Sequence, residues 1–200
     1  EIWHAGDIGS LSITDKLKEF AHLRAVWGNI DNTTIRSKFK EIIFFKWEEV
    51  NVMITHIGGY PKKYNKKILP LIEQKKPDLF ISGHSHILKV MYDKKNKLLH
   101  MNPGAIGDYG PHTVKTILSF KIDKKEIKNL KIIEFPRWKY YRILSAELTN
   151  FSSRLIKKLA AIKLINGIIN SIIPNPKPLS PLFKTINPKA IVIINLEKEA

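Results

Sequence analysis

Four apolar runs in this chain each stop at a short turn that carries metal-ligand side chains. Ile2-Trp3 leads into His4-Ala5-Gly6-Asp7, and Leu23 to Trp27 into Gly28-Asn29-Ile30-Asp31. Val50 to Ile54 leads into Thr55-His56, and Leu79 to Ser82 into Gly83-His84-Ser85-His86. Short apolar runs bounded by turn residues read as buried strands. In open α/β sheets, ligands collect at the carboxyl ends of such strands. If these four strands are parallel neighbours, Asp7, Asn29, His56 and His84 meet at one sheet edge. Taken singly, each phrase is weak, because a lone His after a strand is more often a hydrogen-bonded core residue. Together they would require four separate structural explanations.

The intervening segments fit the same plan. Ser12-Ile13-Thr14-Asp15 has the form of a helix-capping box, followed by Leu17 and Phe20 at helical spacing. Asn32 or Thr33 can cap a short helix through Ile35 and Phe39. Residues 42–47 and 50–55 read as a hairpin around Glu48-Glu49. Residues 65–76 read as a basic helix that Pro70 kinks or delays. After His86 the character turns to β, with hairpins over 87–101 and 114–135. The expected fold is α/β (α+β): a sandwich of two mixed β-sheets flanked by helices, truncated at its N-terminus, with an irregular or helical C-terminal extension.

Residues 1–135 carry 23 basic and 15 acidic side chains, and residues 136–200 carry 11 and 3. Each part thus has a net charge of +8, so the last third has about twice the net charge density, and it offers no catalytic residue types at useful spacing. It reads as a basic, loosely packed extension, separate from a domain over 1–135. An apolar stripe from Leu155 to Ile173 is helical in period but carries Lys157, Lys158 and Lys163, which argues against a membrane span. Pro174, Pro176, Pro178 and Pro181 then break regular structure before a final apolar run, Ile191 to Ile194.

The net charge of +16 raises nucleic acid as a partner. The charge is scattered, however, and only five arginines supply the planar forks favoured in base reading. Nucleic acid is thus not expected as the main partner. No cysteine is present, which excludes disulfides and thiolate zinc sites. A metal would be held by His, Asp, Asn or Glu, a set suited to Mn, Fe, Ni, Zn or Mg. His84 and His86, two residues apart, can both be aimed into one cavity by a tight turn. His4, His22 and His100 read as background, with His4 expected to face away from the loop of Asp7, and His112 can edge a cleft.

The order Gly-Asp (6–7), Gly-Asn-x-Asp (28–31), Thr-His (55–56), Gly-His-x-His (83–86) and Asn-Pro-Gly (102–104) resembles the calcineurin-like metallophosphoesterases. The likeness covers about residues 1–135 and is nearest to the small single-domain phosphodiesterases of bacteria and archaea. It implies two divalent metal ions, with manganese the first candidate and Ni, Fe, Mg or Zn the others. Asp7 would bridge the two ions, and Asn29, His56 and His84 would complete the ligands of one. His86 would bind the other, beside an Asp-x-His motif on a first strand that this sequence lacks.

Several expectations follow from that likeness. A metal-bridging hydroxide would attack a small phosphodiester; separately, no secretory signal is visible in the sequence, which favours the cytoplasm. A phosphomonoesterase or nuclease on the same scaffold, or a non-catalytic binding module derived from it, are the rival readings. Many relatives carry His directly after Gly-Asn, where this sequence has Ile30. Asp31 is read as orienting a ligand histidine, with proton donation the lesser alternative. Asn102-Pro103-Gly104 is read as structural. A sheet without its first strand would leave backbone groups of the neighbouring strands unpaired.

Overall fold

A computed structural model describes residues 1–136 and 191–194. Elements follow the chain as β1 (Ile2–His4), α1 (Leu11–Phe20), β2 (Leu23–Ala25), α2 (Thr33–Lys38), β3 (Ile42–Trp47) and β4 (Val50–Thr55). Then come β5 (Gly59–Tyr60), β6 (Lys63–Tyr64), α3 (Leu69–Lys75) and β7 (Leu79–Ser82). The last are β8 (Leu88–Asp93), β9 (Leu98–Pro103), β10 (Val114–Asp123), β11 (Glu126–Pro136) and β12 (Ile191–Ile194).

Two five-stranded mixed sheets form, in the orders β11-β10-β12-β1-β2 and β3-β4-β7-β9-β8. In the first, β12, β1 and β2 are parallel while β10 and β11 run antiparallel. In the second, β4, β7 and β9 are parallel and bordered by antiparallel β3 and β8. The two faces pack on a common core. Trp3, Val26, Leu118 and Phe120 meet Val52, Ile54, Leu79, Ile81 and Met101 there.

The period-2 alternation of strands explains the layering. Val52 and Ile54 of β4 and Leu79 and Ile81 of β7 point into the sandwich. Met53 and Phe80 point the other way, onto Ile68 at the N-cap of α3 and Ile72 within it. On the outer side of the first sheet, Ile8, Ala25 and Ile35 form a smaller cluster with Leu11 and Phe39. Trp3 anchors the main core with edge-on contacts to Phe45, Trp47 and Phe120 at 5.0, 6.2 and 5.8 Å. Truncating a buried aromatic of this kind costs about 3–5 kcal/mol.

Local chemistry sets the element boundaries. Pro70 lies in the first turn of α3, where its missing N–H has no partner to lose, so the helix starts late rather than kinking. Asn32 caps α2 by accepting the Ile35 N–H at 3.0 Å. The box at Ser12 does not form: α1 begins two residues earlier, with Ser10 at its N-cap, and Ser12 Oγ instead meets Ser10 Oγ at 2.8 Å.

One strand changes the expected picture of the sheet. Ile191–Ile194 lies between β1 and β10, pairing Ile2, Trp3 and His4 with Val192, Ile193 and Ile194. It pairs Leu118, Ser119 and Phe120 on its other side. The backbone groups expected to be left open beside β1 are therefore paired, by the last apolar run of the chain. The helical stripe expected over 155–173 and the proline segment lie outside the described residues. No helix among the described residues is long and apolar enough to cross a membrane.

Candidate metal centre

The parallel strands β1, β2, β4 and β7 deliver their turns to neighbouring positions. Asp7, His56 and His84 each present a ligand atom, all within 4.8 Å of one another. His56 Nε2 lies 3.1 Å from Asp7 Oδ2 and 3.0 Å from Asn29 Oδ1. The His84 ring stands edge-on to the His56 ring at 5.2 Å. Asp7 and His56 are buried, whereas His84 is open to solvent.

The tautomer of His56 decides what this geometry can hold. Its Nδ1 donates to the Ala5 carbonyl at 2.8 Å. In the neutral ring the lone pair is then on Nε2, facing the carboxylate of Asp7 and the amide oxygen of Asn29. In that neutral form three acceptors converge with no proton between them. That arrangement is stable only around a positive charge, and the imidazole, carboxylate and amide donors suit a divalent first-row metal or Mg. The residues present therefore fit a metal ion. The Nδ1–H to carbonyl bond is the outer support that metal-binding histidines use to fix ring orientation.

His86 stands outside that tight group. Its ring packs edge-on against His112 at 5.4 Å, and His112 Nε2 donates to the Gly107 carbonyl at 3.0 Å. Burial first, and the neighbouring His112 next, lower the His86 pKa to about 4. Burial likewise lowers that of His84, with His56 adding to it. Both rings are thus neutral at pH 7, the form in which imidazole binds metal.

Asp7, His84 and His86 all have φ in the left-handed region, at 56°, 65° and 55°. Such backbone costs a residue bearing a side chain about 1–3 kcal/mol and clusters at functional sites. Two glycines make the crowding possible. A Cβ at Gly6 would strike the His56 ring, and a Cβ at Gly28 would overlap the carboxylate and backbone nitrogen of Asp7.

The supporting residues differ from expectation in two places. Asp31 does not orient a ligand histidine. Its buried carboxylate accepts the N–H groups of Gly28 at 2.7 Å, Ile8 at 3.1 Å and Gly9 at 2.9 Å. It thereby ties the turn after β1 to the turn after β2, and it is saturated in doing so. His4 does not face away from Asp7's loop. Its Nδ1 accepts the Gly6 N–H at 3.2 Å, and burial lowers its pKa to about 3, with His56 adding to the effect.

Other supports carry no signal in local spacing. Arg36 braces the second turn by donating to the carbonyls of Asp31 and Asn29, both at 2.7 Å, while lying over the Trp27 ring. Asn102 donates to the Gly83 carbonyl at 2.9 Å and to Ser85 Oγ at 3.1 Å, pinning the turn that bears His84 and His86. The role of Asn102 agrees with its structural reading. That of Arg36 could have been suspected only from a lone arginine in a short helix directly after the Asn29 turn.

A family model of the calcineurin-like phosphoesterase superfamily domain matches residues 1–125, and the chain belongs to that family. A probable metallophosphoesterase of Methanocaldococcus jannaschii is 33% identical over 138 residues, covering 66% of this chain and 67% of that protein. Among solved structures, Vps29 of Entamoeba histolytica complexed with zinc shares the fold at 18% identity and a TM-score of 0.53. That match covers 68% of this chain and 82% of the other. An archaeal phosphodiesterase shares it at 24% identity and a TM-score of 0.52, over 68% and 83% of the two chains.

Proposed function

We propose that this protein is a metal-dependent phosphodiesterase acting on small phosphodiesters at a binuclear site. The observation that carries the reading is the convergence of Asp7 Oδ2, Asn29 Oδ1 and His56 Nε2, three lone-pair donors held apart from any proton. Asp7, Asn29, His56 and His84 would hold one ion, with Asp7 shared and His86 serving the second. When bound, divalent metal supplies Lewis acidity and lowers the pKa of water into the neutral range. The names of the M. jannaschii relative and of the archaeal phosphodiesterase support phosphoester hydrolysis.

The chain's own residues account for positioning. The Ala5 carbonyl holds the His56 Nδ1 proton, Asp31 and Arg36 fix the turns after β1 and β2, and Asn102 fixes the turn after β7. No acid stands directly after Asn29, because Ile30 occupies that place and is 39% exposed. With no acid there, the rate of the chemical step should rise with the acidity of the leaving alcohol, alkyl esters being cleaved more slowly than aryl esters whichever arm is bound.

The test is hydrolysis of bis-p-nitrophenyl phosphate by the full chain after exhaustive chelation and after return of single metals. Turnover should vanish on chelation and return best with Mn²⁺. Undiminished activity in verified metal-free protein would refute the reading.

A further inference from the structure

A pocket of about 260 Å³ opens directly beside His84, which lines it and also belongs to the metal-ligand group, so the pocket and the ligand group adjoin. It is smaller than the roughly 300–1,000 Å³ typical of sites for drug-sized ligands, and so suits one arm of a diester. Its walls have two distinct characters. Ile57, Ile87, Tyr60 and Tyr64 line it with flat or apolar surface. Ile57 and Ile87 are 39% and 60% exposed, although each directly follows one of the site histidines. Together with the two tyrosines they give the pocket an apolar wall that a ligand's ring can cover.

The second character is charge. Lys63 and Lys89 line the pocket, and no Asp or Glu does. Among the described residues neither lysine is in an ion pair with a carboxylate. Lys89 Nζ instead sits 3.6 Å above the Tyr60 ring. The nearby carboxylate of Asp93 is taken up by the Tyr64 hydroxyl at 2.7 Å and by the Asn96 amide at 2.7 Å. Two ammonium groups without counter-charge, beside apolar walls, define a preference for a flat arm bearing its own anion.

Resting on the phosphodiesterase reading, we propose that this pocket is the subsite for one ester arm, and that it selects an arm with a planar ring and a second phosphate. A short dinucleotide with a terminal phosphate has that chemistry. Ile57 and Ile87 cover the ring, while Lys63 and Lys89 receive the terminal phosphate. The scissile phosphate stays with the metal ligands.

The experiment compares thymidylyl dinucleotide with and without a 5′-phosphate, using the full chain with Mn²⁺. The phosphorylated form should show a KM at least 10-fold lower. In the Lys63→Met/Lys89→Met protein the two KM values should come within twofold, while Lys18→Met, on the exposed face of α1, should keep the wild-type ratio. Equal KM values for both dinucleotides in the wild type, or an unchanged ratio in the double variant, would overturn the proposal. Binding measured by calorimetry in chelator separates this from failure of the diesterase reading. Without metal or turnover, thymidine 5′-phosphate should bind at least 10-fold tighter than thymidine to the wild type and no tighter to the double variant. The same affinity for both ligands in the wild type would overturn the pocket assignment even if bis-p-nitrophenyl phosphate is hydrolysed.

Discussion

His56 Nε2 faces Asp7 Oδ2 at 3.1 Å, while its Nδ1 donates to the Ala5 carbonyl at 2.8 Å on the opposite side. In the neutral tautomer neither atom of this contact carries a proton, and a cation placed between them would satisfy both. Its geometry depends on residues 51 and 49 positions apart along the chain, His56 with Ala5 and with Asp7, being brought together by a shared sandwich core. The site is therefore a property of the fold, and small backbone changes should disturb it.

Gly28→Ala is the sharpest such change. The added methyl would overlap the Asp7 carboxylate and backbone, so the turn after β1 must shift. Mn²⁺ affinity measured by calorimetry should fall more than 10-fold, with a stability loss of about 1–3 kcal/mol in urea unfolding. Unchanged metal affinity would show that the two turns do not touch as described.

Stability should also depend on pH in a defined direction. Burial lowers the pKa of His100 to about 4 and that of His4 to about 3, against about 6.5 in the unfolded chain. Below pH 6.5 the unfolded state binds protons that the folded state refuses. The stabilisation is thus complete above pH 6.5 and is lost as pH falls toward 4, at roughly 1.4 kcal/mol per pH unit for each histidine. Urea unfolding in chelator at pH 7, 6 and 5 measures this slope, and His100→Gln should reduce it by about one proton. A slope of zero between pH 6.5 and 5 would contradict the burial of these rings.

Removal of residues 189–200 should destabilise the protein. Ile191–Ile194 pairs with β1 on one side and β10 on the other, so its loss opens both ladders in the middle of a sheet. At about 1 kcal/mol per ladder bond, a loss of several kcal/mol is expected, or a fall of about 10 °C in Tm. Equal melting of the shortened and full chains would show that this strand contributes nothing to the sheet.

Much of this was legible in the sequence, for identifiable reasons. The hairpin of β3 and β4 matches its apolar runs at both ends, because each strand is bounded by turn chemistry at Glu48 and Glu49. Asp7, His56 and His84 announce themselves because a metal ligand must be one of few residue types, placed at a strand end. Partner choice was not legible. Nothing local to Ile191–Ile194 says that it lies between β1 and β10, since pairing across so long a separation is set by the whole sandwich. The part played by Asp31 was also hidden, because a carboxylate that accepts backbone N–H groups has the same sequence signature as one that orients a histidine.

The most direct test of the central claim is the rate of bis-p-nitrophenyl phosphate hydrolysis by wild type and Asp7→Ala across a Mn²⁺ titration. Asp7 contributes to both ions in the proposed site, and its removal leaves the His56 lone pair facing only Asn29. The wild-type rate should rise with Mn²⁺ and saturate, while the variant stays at least 100-fold lower at saturating metal. Equal rates for the two proteins at equal metal loading would contradict the account.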